Sequence, residues 1–382
     1  MRVLQIQLDT ALGGIESFLL NIYKRIDKDK IQFDFIEYGE EERSFDKQFE
    51  NLGARIFKLP DRIKNPIKAK KRLKRIIKEN KYSVVHIHKN SLSDISAIKI
   101  CKKLKVPTII IHSHNSNRDN KIIVLLHKIN LHRIKLDDYV KFACSKKAAD
   151  WLFGDSGKKA IIVNNGIEIE KFIYNKTIRE KTRKKLGIDS NYVIGNVGRL
   201  SEQKNPEFLI KLFHNLRKKH SEIKLLWVGD GELMESIKKL TSELGEEDNI
   251  IFTGKVNNPE YYYQAMDLFV MPSFYEGFPI SAIEAQTSGL QCILSDNITK
   301  EAAITENVSF IPLQQENLWI NFIEKIINKK SERKNQLELM ERKGYNIQST
   351  VDFIQDFYLK FENAGEDIKK SKVWNIKNNM CN

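Results

Sequence analysis

With 382 residues the chain exceeds what one hydrophobic core usually organises, which points to two domains. Hydrophobic residues make up 41% and charged residues 30%. That balance excludes a disordered chain, and the absence of any apolar run near the roughly 20 residues of a membrane-spanning helix argues against an integral membrane protein. The net charge of +14 calls for an anionic partner: nucleic acid, an acidic membrane surface or a phosphorylated substrate.

The start, MRVLQIQLDT, lacks the long apolar stretch and cleavage site of a signal peptide. The cysteines Cys101, Cys144, Cys292 and Cys381 are scattered, without a CxxC pair, as expected of reduced thiols in a cytosolic protein. Candidate strands Arg2–Gln7, Phe33–Glu37, Arg55–Lys58, Val84–His88, Thr108–Ile111, Lys141–Cys144 and Ile161–Val163 alternate with helical stretches. After the first strand, Gly13-Gly14-Ile15-Glu16-Ser17 opens a helix over Phe18–Arg25. Paired glycines let backbone N–H groups approach a phosphate or a sugar, although such turns also occur with no ligand.

Two stretches, Lys64–Lys78 and Lys121–Lys135, read as basic amphipathic helices; Ile67, Leu73, Ile76 and Ile77 lie on or near one face of the first. Either helix alone suits a domain surface with solvated lysines. The pair in one half of the chain favours peripheral attachment to the anionic inner face of the membrane. His86 and His88, then His112 and His114, are spaced by two, so each pair shares a strand face. No further ligand stands at a convincing metal spacing, so zinc is not expected. These imidazoles either meet a sugar hydroxyl or a departing oxygen, or fill polar gaps at a domain interface.

The charged stretch Asn175–Ser190 reads as a linker, and a second strand series follows: Val193–Val197, Lys224–Val228, Ile250–Thr253, Leu268–Met271 and Gln291–Ser295. Gly198-Arg199 and Lys204-Asn205-Pro206 flank a helix start, with Asn205 expected as its cap. A guanidinium fork, an ammonium and a helix N-terminus make a diphosphate site that needs no metal. The alternative is two solvated cations in a lysine-rich chain, and the glycine and helix start tilt the balance towards the site. Gly229-Asp230-Gly231 is half of a dinucleotide fingerprint and reads mainly as a tight turn, with a helix over Glu232–Leu244 after it. Gly254-Lys255-Val256 is placed to offer backbone groups to a nucleobase.

In Ser273–Glu284, Pro279 suits a first helical position, which puts Glu276 on the loop and Glu284 about one and a half turns inside the helix. Two carboxylates beside a helix N-terminus fit a ligand that is anionic at one end and rich in hydroxyls at the other, such as a nucleotide sugar. Gln348–Asn363 reads as a final amphipathic helix, followed by a polar, basic tail. The alternating pattern makes the chain α/β: two doubly wound domains whose strand-end motifs converge on a cleft between them.

Gly13-Gly14, Asn165-Gly166-Ile167-Glu168, Gly198-Arg199, Lys204-Asn205 and Glu276–Glu284, in this order, resemble the retaining glycosyltransferases of family 4, over essentially the whole chain to about Glu362. Gly13–Asn21 and His112–Asn117 resemble their capsule and exopolysaccharide enzymes. The resemblance implies a GT-B fold: an acceptor-side Rossmann-like domain over 1–180, a nucleotide-sugar domain over 190–345, a helix over 346–364 returning to the first domain, and a tail over 365–382. It implies that Arg199 and Lys204 bind the donor diphosphate and that Glu284 holds the ribose. Glu276 would contact the transferred sugar, with the backbone from Gly277 through Phe278 and Pro279 to Ile280 assisting, and Val256 stays with the backbone groups read above as facing the base. Gly13 and Gly14 approach the diphosphate and sugar, and His114, or His112 in another register, stands near the sugar. The family works without a metal, so Asp27-Lys28-Asp29 reads as surface.

The implied reaction moves a sugar from a nucleotide diphosphate sugar, by default a UDP-sugar, to a saccharide hydroxyl with retention. The acceptor is expected to be linked to polyprenyl diphosphate, in cell-surface polysaccharide synthesis. No cofactor and no nucleic-acid partner are expected, because no basic patch interleaved with aromatics occurs. The rival readings are a GT-B epimerase or phosphorylase and, from another class, a basic nucleic-acid-binding protein.

Overall fold

The computed structural model describes residues 1–7, 14–39, 41, 43, 45–116, 120–329 and 332–362. Gly13 and the tail 365–382 lie outside them. The described residues divide into two compact units, one formed by residues up to 163 together with 348–362, the other by 164–347.

The first unit holds a seven-stranded sheet: β1 (Arg2–Gln7), β2 (Gln32–Tyr38), β3 (Arg55–Leu59), β4 (Val84–Lys89), β5 (Thr108–Ser113), β6 (Val140–Ala143) and β7 (Ile161–Ile162). They run in the order β3-β2-β1-β4-β5-β6-β7, every pair parallel. A parallel sheet is covered on both faces, so its central strands read as apolar runs. β4 and β5 are buried throughout; Thr108 opens β5, and the polar residues His86, His88, Lys89, His112 and Ser113 follow towards the carboxyl ends.

The helix Gly14–Arg25 begins a turn earlier than Phe18, because Ile15 already packs inward with Phe18, Leu19 and Ile22. The helix Pro66–Asn80 buries Ala69, Leu73, Ile76 and Ile77 and leaves its cations in solvent, with Ile67 69% exposed. Lys121–Arg133 is built differently. Asn120 caps it by accepting from Ile122 and Ile123 N–H, only His127 is fully buried, and Ile122, Leu125, Leu126 and Ile129 are exposed. The helix Ile347–Glu362 turns Val351, Ile354, Tyr358 and Phe361 inward at helical spacing. Within the first unit its Phe357 ring lies 4.9 Å from Phe142, and Gln355 accepts from Asp27 N–H.

The second unit carries β8 (Tyr192–Val197), β9 (Ile223–Val228), β10 (Ile250–Phe252), β11 (Leu268–Met271), β12 (Gln291–Ser295) and β13 (Val308–Ile311), in the parallel order β10-β9-β8-β11-β12-β13. Leu209, Ile210, Phe213, Leu225, Trp227, Val270, Ile293 and Trp319 fill one core. The stretch read as a linker is a helix of this unit, Lys176–Leu186, capped by Asn175 and closed by Gly187 at φ +66°. Its two arginines have partners in the unit: Arg183 donates to Ala265 O at 2.7 Å and to Asp267 at 3.1 Å, and Arg179 also binds Asp267. A high charge density signalled solvent where it encodes a clamp.

The Gly229-Asp230-Gly231 turn is structural. A Cβ on Gly231 would stand 2.2 Å from Leu200 O, and one on Gly229, at φ +139°, 2.1 Å from Gly198 O. Gly231→Ala should therefore destabilise the second unit by about 2 kcal/mol through overpacking against a backbone that cannot yield. Gly245→Ala, with open space around a left-handed φ of +69°, should cost about 1 kcal/mol from backbone strain alone. Urea unfolding curves compare the two; equal losses would refute the steric account.

Candidate functional site

The loop after β8 is strapped from beneath. Gly198 N–H donates to Val228 O, Leu200 N–H to Asp230 O, Leu233 N–H to Leu200 O, and the Trp227 indole to Gly198 O. Gly198 also leaves room for the Lys204 stem, whose Cε would lie 3.1 Å from an added Cβ. Asn205 takes the capping position of the helix Pro206–Arg217, with Pro206 first in the helix, but makes no side-chain capping bond. It adopts a left-handed conformation at φ 52°, and its side-chain amide donates to Pro272 O, tying the turn to the neighbouring loop.

That neighbouring loop follows β11. Phe274 N–H donates to Gln203 O, and Gln203 Nε2 to Tyr275 O at 2.9 Å. The two loops thereby bring Lys204 Nζ 2.6 Å from Glu276 Oε1, with the side chains only 15% and 9% exposed. The ammonium and the loop carboxylate thus form a buried ion pair, where the sequence suggested separate contacts to a ligand. Arg199 stands apart from that pair: its Nε lies 2.8 Å from Glu232, with both side chains about half exposed.

The helix after the loop is Ile280–Thr287, one residue later than Pro279, which takes the capping position instead. Glu284 still falls about one turn inside. Its Oε2 accepts from the Tyr263 hydroxyl at 2.6 Å, a partner on the helix Pro259–Ala265 that sequence spacing did not reveal. Burial pushes the Glu284 carboxyl up to about 7, the Tyr263 hydrogen bond draws it down, and Glu260 raises it further. Phe278 is buried, its ring stacked 5.7 Å from Tyr345, which leaves its backbone rather than its side chain for a ligand. Gly277 and Pro279 are buried and Ile280 half-buried. Val256 lies half-buried on the loop after β10, beyond Gly254, whose carbonyl accepts from Gly229 N–H.

In the first unit, Gly14 opens its helix with no atom within 4 Å of a notional Cβ. Phe18 of that helix meets His112 and His114 edge-on, both at 5.5 Å. His112 and His114 join His86 and His88 in one cluster of imidazoles at the ends of β4 and β5. His86, His88 and His112 each place a ring nitrogen within 4.8 Å of the others, the spacing of a three-histidine metal site. The donor set fits a cation poorly. His86 Nε2 and His112 Nδ1 are turned on each other at 3.2 Å, His88 Nδ1 and His114 Nε2 at 2.8 Å, rather than on a common point.

Because Tyr263 favours the ionised form of Glu284, Tyr263→Phe should move the carboxyl's titration upward from about 7. Carboxyl-carbon NMR over pH 5 to 9, with Glu284→Gln identifying the signal, measures it; a downward movement would contradict the hydrogen bond's role.

Residues 12–171 match the family model described as Glycosyltransferase Family 4, and residues 178–345 match Glycosyl transferases group 1. The chain is 31% identical over 313 residues to a protein named putative glycosyltransferase EpsF from Bacillus subtilis, covering 78% of this chain and 80% of that one. It is 26% identical over 389 residues to the UDP-Gal:alpha-D-GlcNAc-diphosphoundecaprenol alpha-1,3-galactosyltransferase of Escherichia coli, covering 94% and 97%. Among solved structures, Anabaena Alr3699/HepE in complex with UDP superposes with a TM-score of 0.76 at 16% identity, over 94% of this chain and 100% of that one, which supports the fold alone. Two parallel-sheet Rossmann-like units, strand-end loops carrying paired cations and carboxylates, and these matches make the chain a member of the family 4 glycosyltransferases, with the GT-B fold.

Proposed function

We propose that the protein transfers a glycosyl group from a UDP-sugar to a hydroxyl of a polyprenyl-diphosphate-linked saccharide, with retention of configuration and without a metal, in cell-surface polysaccharide synthesis. The observation that carries this reading is the buried Lys204–Glu276 pair at the mouth of the helix that presents Glu284. The pair gives a diphosphate an ammonium and a sugar a carboxylate acceptor, and Glu284 suits a ribose diol. Arg199 supplies a mobile guanidinium that exchanges Glu232 for phosphate. The family resemblance assigns Gly13 and Gly14 to the diphosphate and sugar, and His114 or His112 to a hydroxyl of the transferred sugar. The substrates in the name of the Escherichia coli relative support the donor and the lipid-linked acceptor, and HepE structures with UDP and with UDP-glucose support the donor.

No helix among the described residues is long and apolar enough to cross a membrane. The exposed face of Lys121–Arg133 supports attachment from one side. Ile122, Leu125 and Ile129 form an apolar strip bordered by Lys121, Lys128 and Arg133, which suits the interface of an anionic bilayer.

Two measurements test these assignments. Glu284→Ala and Lys204→Ala should each weaken UDP binding by about 10- to 100-fold, the range of a charge-assisted hydrogen bond. Titration calorimetry reads the affinity and circular dichroism confirms the fold; wild-type affinity in both variants would remove the site. Leu125→Glu with Ile129→Glu should reduce flotation with phosphatidylglycerol vesicles by at least about tenfold, since each buried apolar side chain contributes about 1.5–3 kcal/mol. Unchanged flotation would remove this helix from the membrane contact.

A further inference from the structure

Six side chains of the first unit form one hydrogen-bonded chain centred on Gln5. Gln5 Nε2 lies 3.2 Å from the Tyr358 hydroxyl, and Oε1 lies 3.0 Å from His88 Nε2. One arm continues from Tyr358 to His86 Nδ1 at 2.6 Å, and from His86 Nε2 to His112 Nδ1 at 3.2 Å. The other runs from His88 Nδ1 to His114 Nε2 at 2.8 Å. Burial holds His86, His88 and His112 well below the usual imidazole range and His114 down to about 3, so each ring is neutral and carries one N–H.

With every ring neutral, the orientation of the Gln5 amide sets every proton along the chain. The Gln5 carbonyl takes the Nε2–H of His88, so His88 Nδ1 accepts and His114 donates from Nε2. The Gln5 amide hydrogen goes to the Tyr358 oxygen, so the phenol hydrogen goes to His86 Nδ1. His86 Nε2 then donates to His112 Nδ1, and the hydrogen of His112 sits on Nε2. All four rings are Nε2–H tautomers. Turning the Gln5 amide over reverses every step and makes all four Nδ1–H. In both states the two ends of the chain, His112 Nε2 and His114 Nδ1, have opposite polarity. Their rings lie 4.0 Å apart, centroid to centroid, and His112 Nε2 is buried with no hydrogen-bond partner. An orphaned buried polar atom is unfavourable until something pairs with it.

We propose that Gln5 and Tyr358 are positioning residues that lock His112 and His114 into one shared tautomer, so that the two rings offer one donor and one acceptor to a hydroxyl of a bound sugar. The identity of that hydroxyl rests on the glycosyl transfer proposed above; the coupled tautomers do not.

Long-range proton–nitrogen NMR of the full chain labelled with 15N-histidine reads the tautomers without any ligand. The four cluster rings should be neutral and alike between pH 6 and 8, and a mixture of tautomers in the wild-type protein would overturn the proposal. Tyr358→Phe keeps the ring and cuts one arm: His86 and His112 should become mixtures while His88 and His114 hold theirs. Gln5→Glu, whose carboxylate accepts from both arms, should drive His86 and His112 to Nδ1–H and leave His88 and His114 as Nε2–H. Unmoved tautomers in either folded variant would also refute the coupling. In Tyr358→Phe, affinity for UDP-glucose should fall about tenfold, one hydrogen bond's effect, while affinity for UDP stays unchanged. Equal losses for both would refute the positioning role. Wild-type protein that binds neither nucleotide, with its tautomers as described, would sink the glycosyl-transfer reading and leave the network standing.

Discussion

A parallel strand can be followed only by a crossover, and a right-handed crossover returns the chain to run the same way. Within each unit this constraint puts every strand's carboxyl end along one edge of its sheet. β4 and β5 therefore deliver their histidines side by side, with His88 opposite His112 in the register. β8 and β11 deliver the Lys204 and Glu276 loops in the same way. The chemistry of both units follows from topology first and from side-chain choice second.

Loops at a sheet edge are irregular and need other groups to hold them. Here backbone donors and acceptors do most of that work: Leu200 is bound to Asp230 and Leu233, and Phe274 to Gln203. Glycines matter because they allow these close approaches. Gly229 and Gly231 let one strand-end loop lie directly against another, at distances no larger residue permits. A motif that resembles a dinucleotide fingerprint thus serves as the floor under Arg199 and Lys204.

Strand and helix periodicity made most of the fold legible, since central strands such as Thr108–Ser113 and Ile223–Val228 carry apolar runs, Ile109–Ile111 and Leu225–Val228. Two departures from the sequence reading share one physical origin. The stretch Asn175–Ser190 looked like solvent because of its charge, yet Arg183 is buried by carbonyls and Asp267 that lie far away in sequence. Asn205 holds the capping position as read, yet its side chain bonds Pro272 O of another loop and makes no bond to its own helix. The candidate site was legible as residue types at strand ends, but its pairings were not. Tyr263 precedes Glu284 by 21 residues and Gln5 precedes Tyr358 by 353, and no local pattern encodes such partners. β13, a half-buried edge strand with a weak pattern, went unseen for the same lack of a strong local signal.

The Lys204–Glu276 pair has a consequence for which anions these loops refuse. An ammonium that already owns a counter-ion is a poor trap for inorganic phosphate or chloride, because the newcomer must separate Lys204 from a largely buried carboxylate. A ligand that brings both an anion for Lys204 and hydroxyls for Glu276 replaces each lost contact with another. On the proposed reading the pair is a resident stand-in for the donor, and it disfavours the small anions that a chain of charge +14 would otherwise collect.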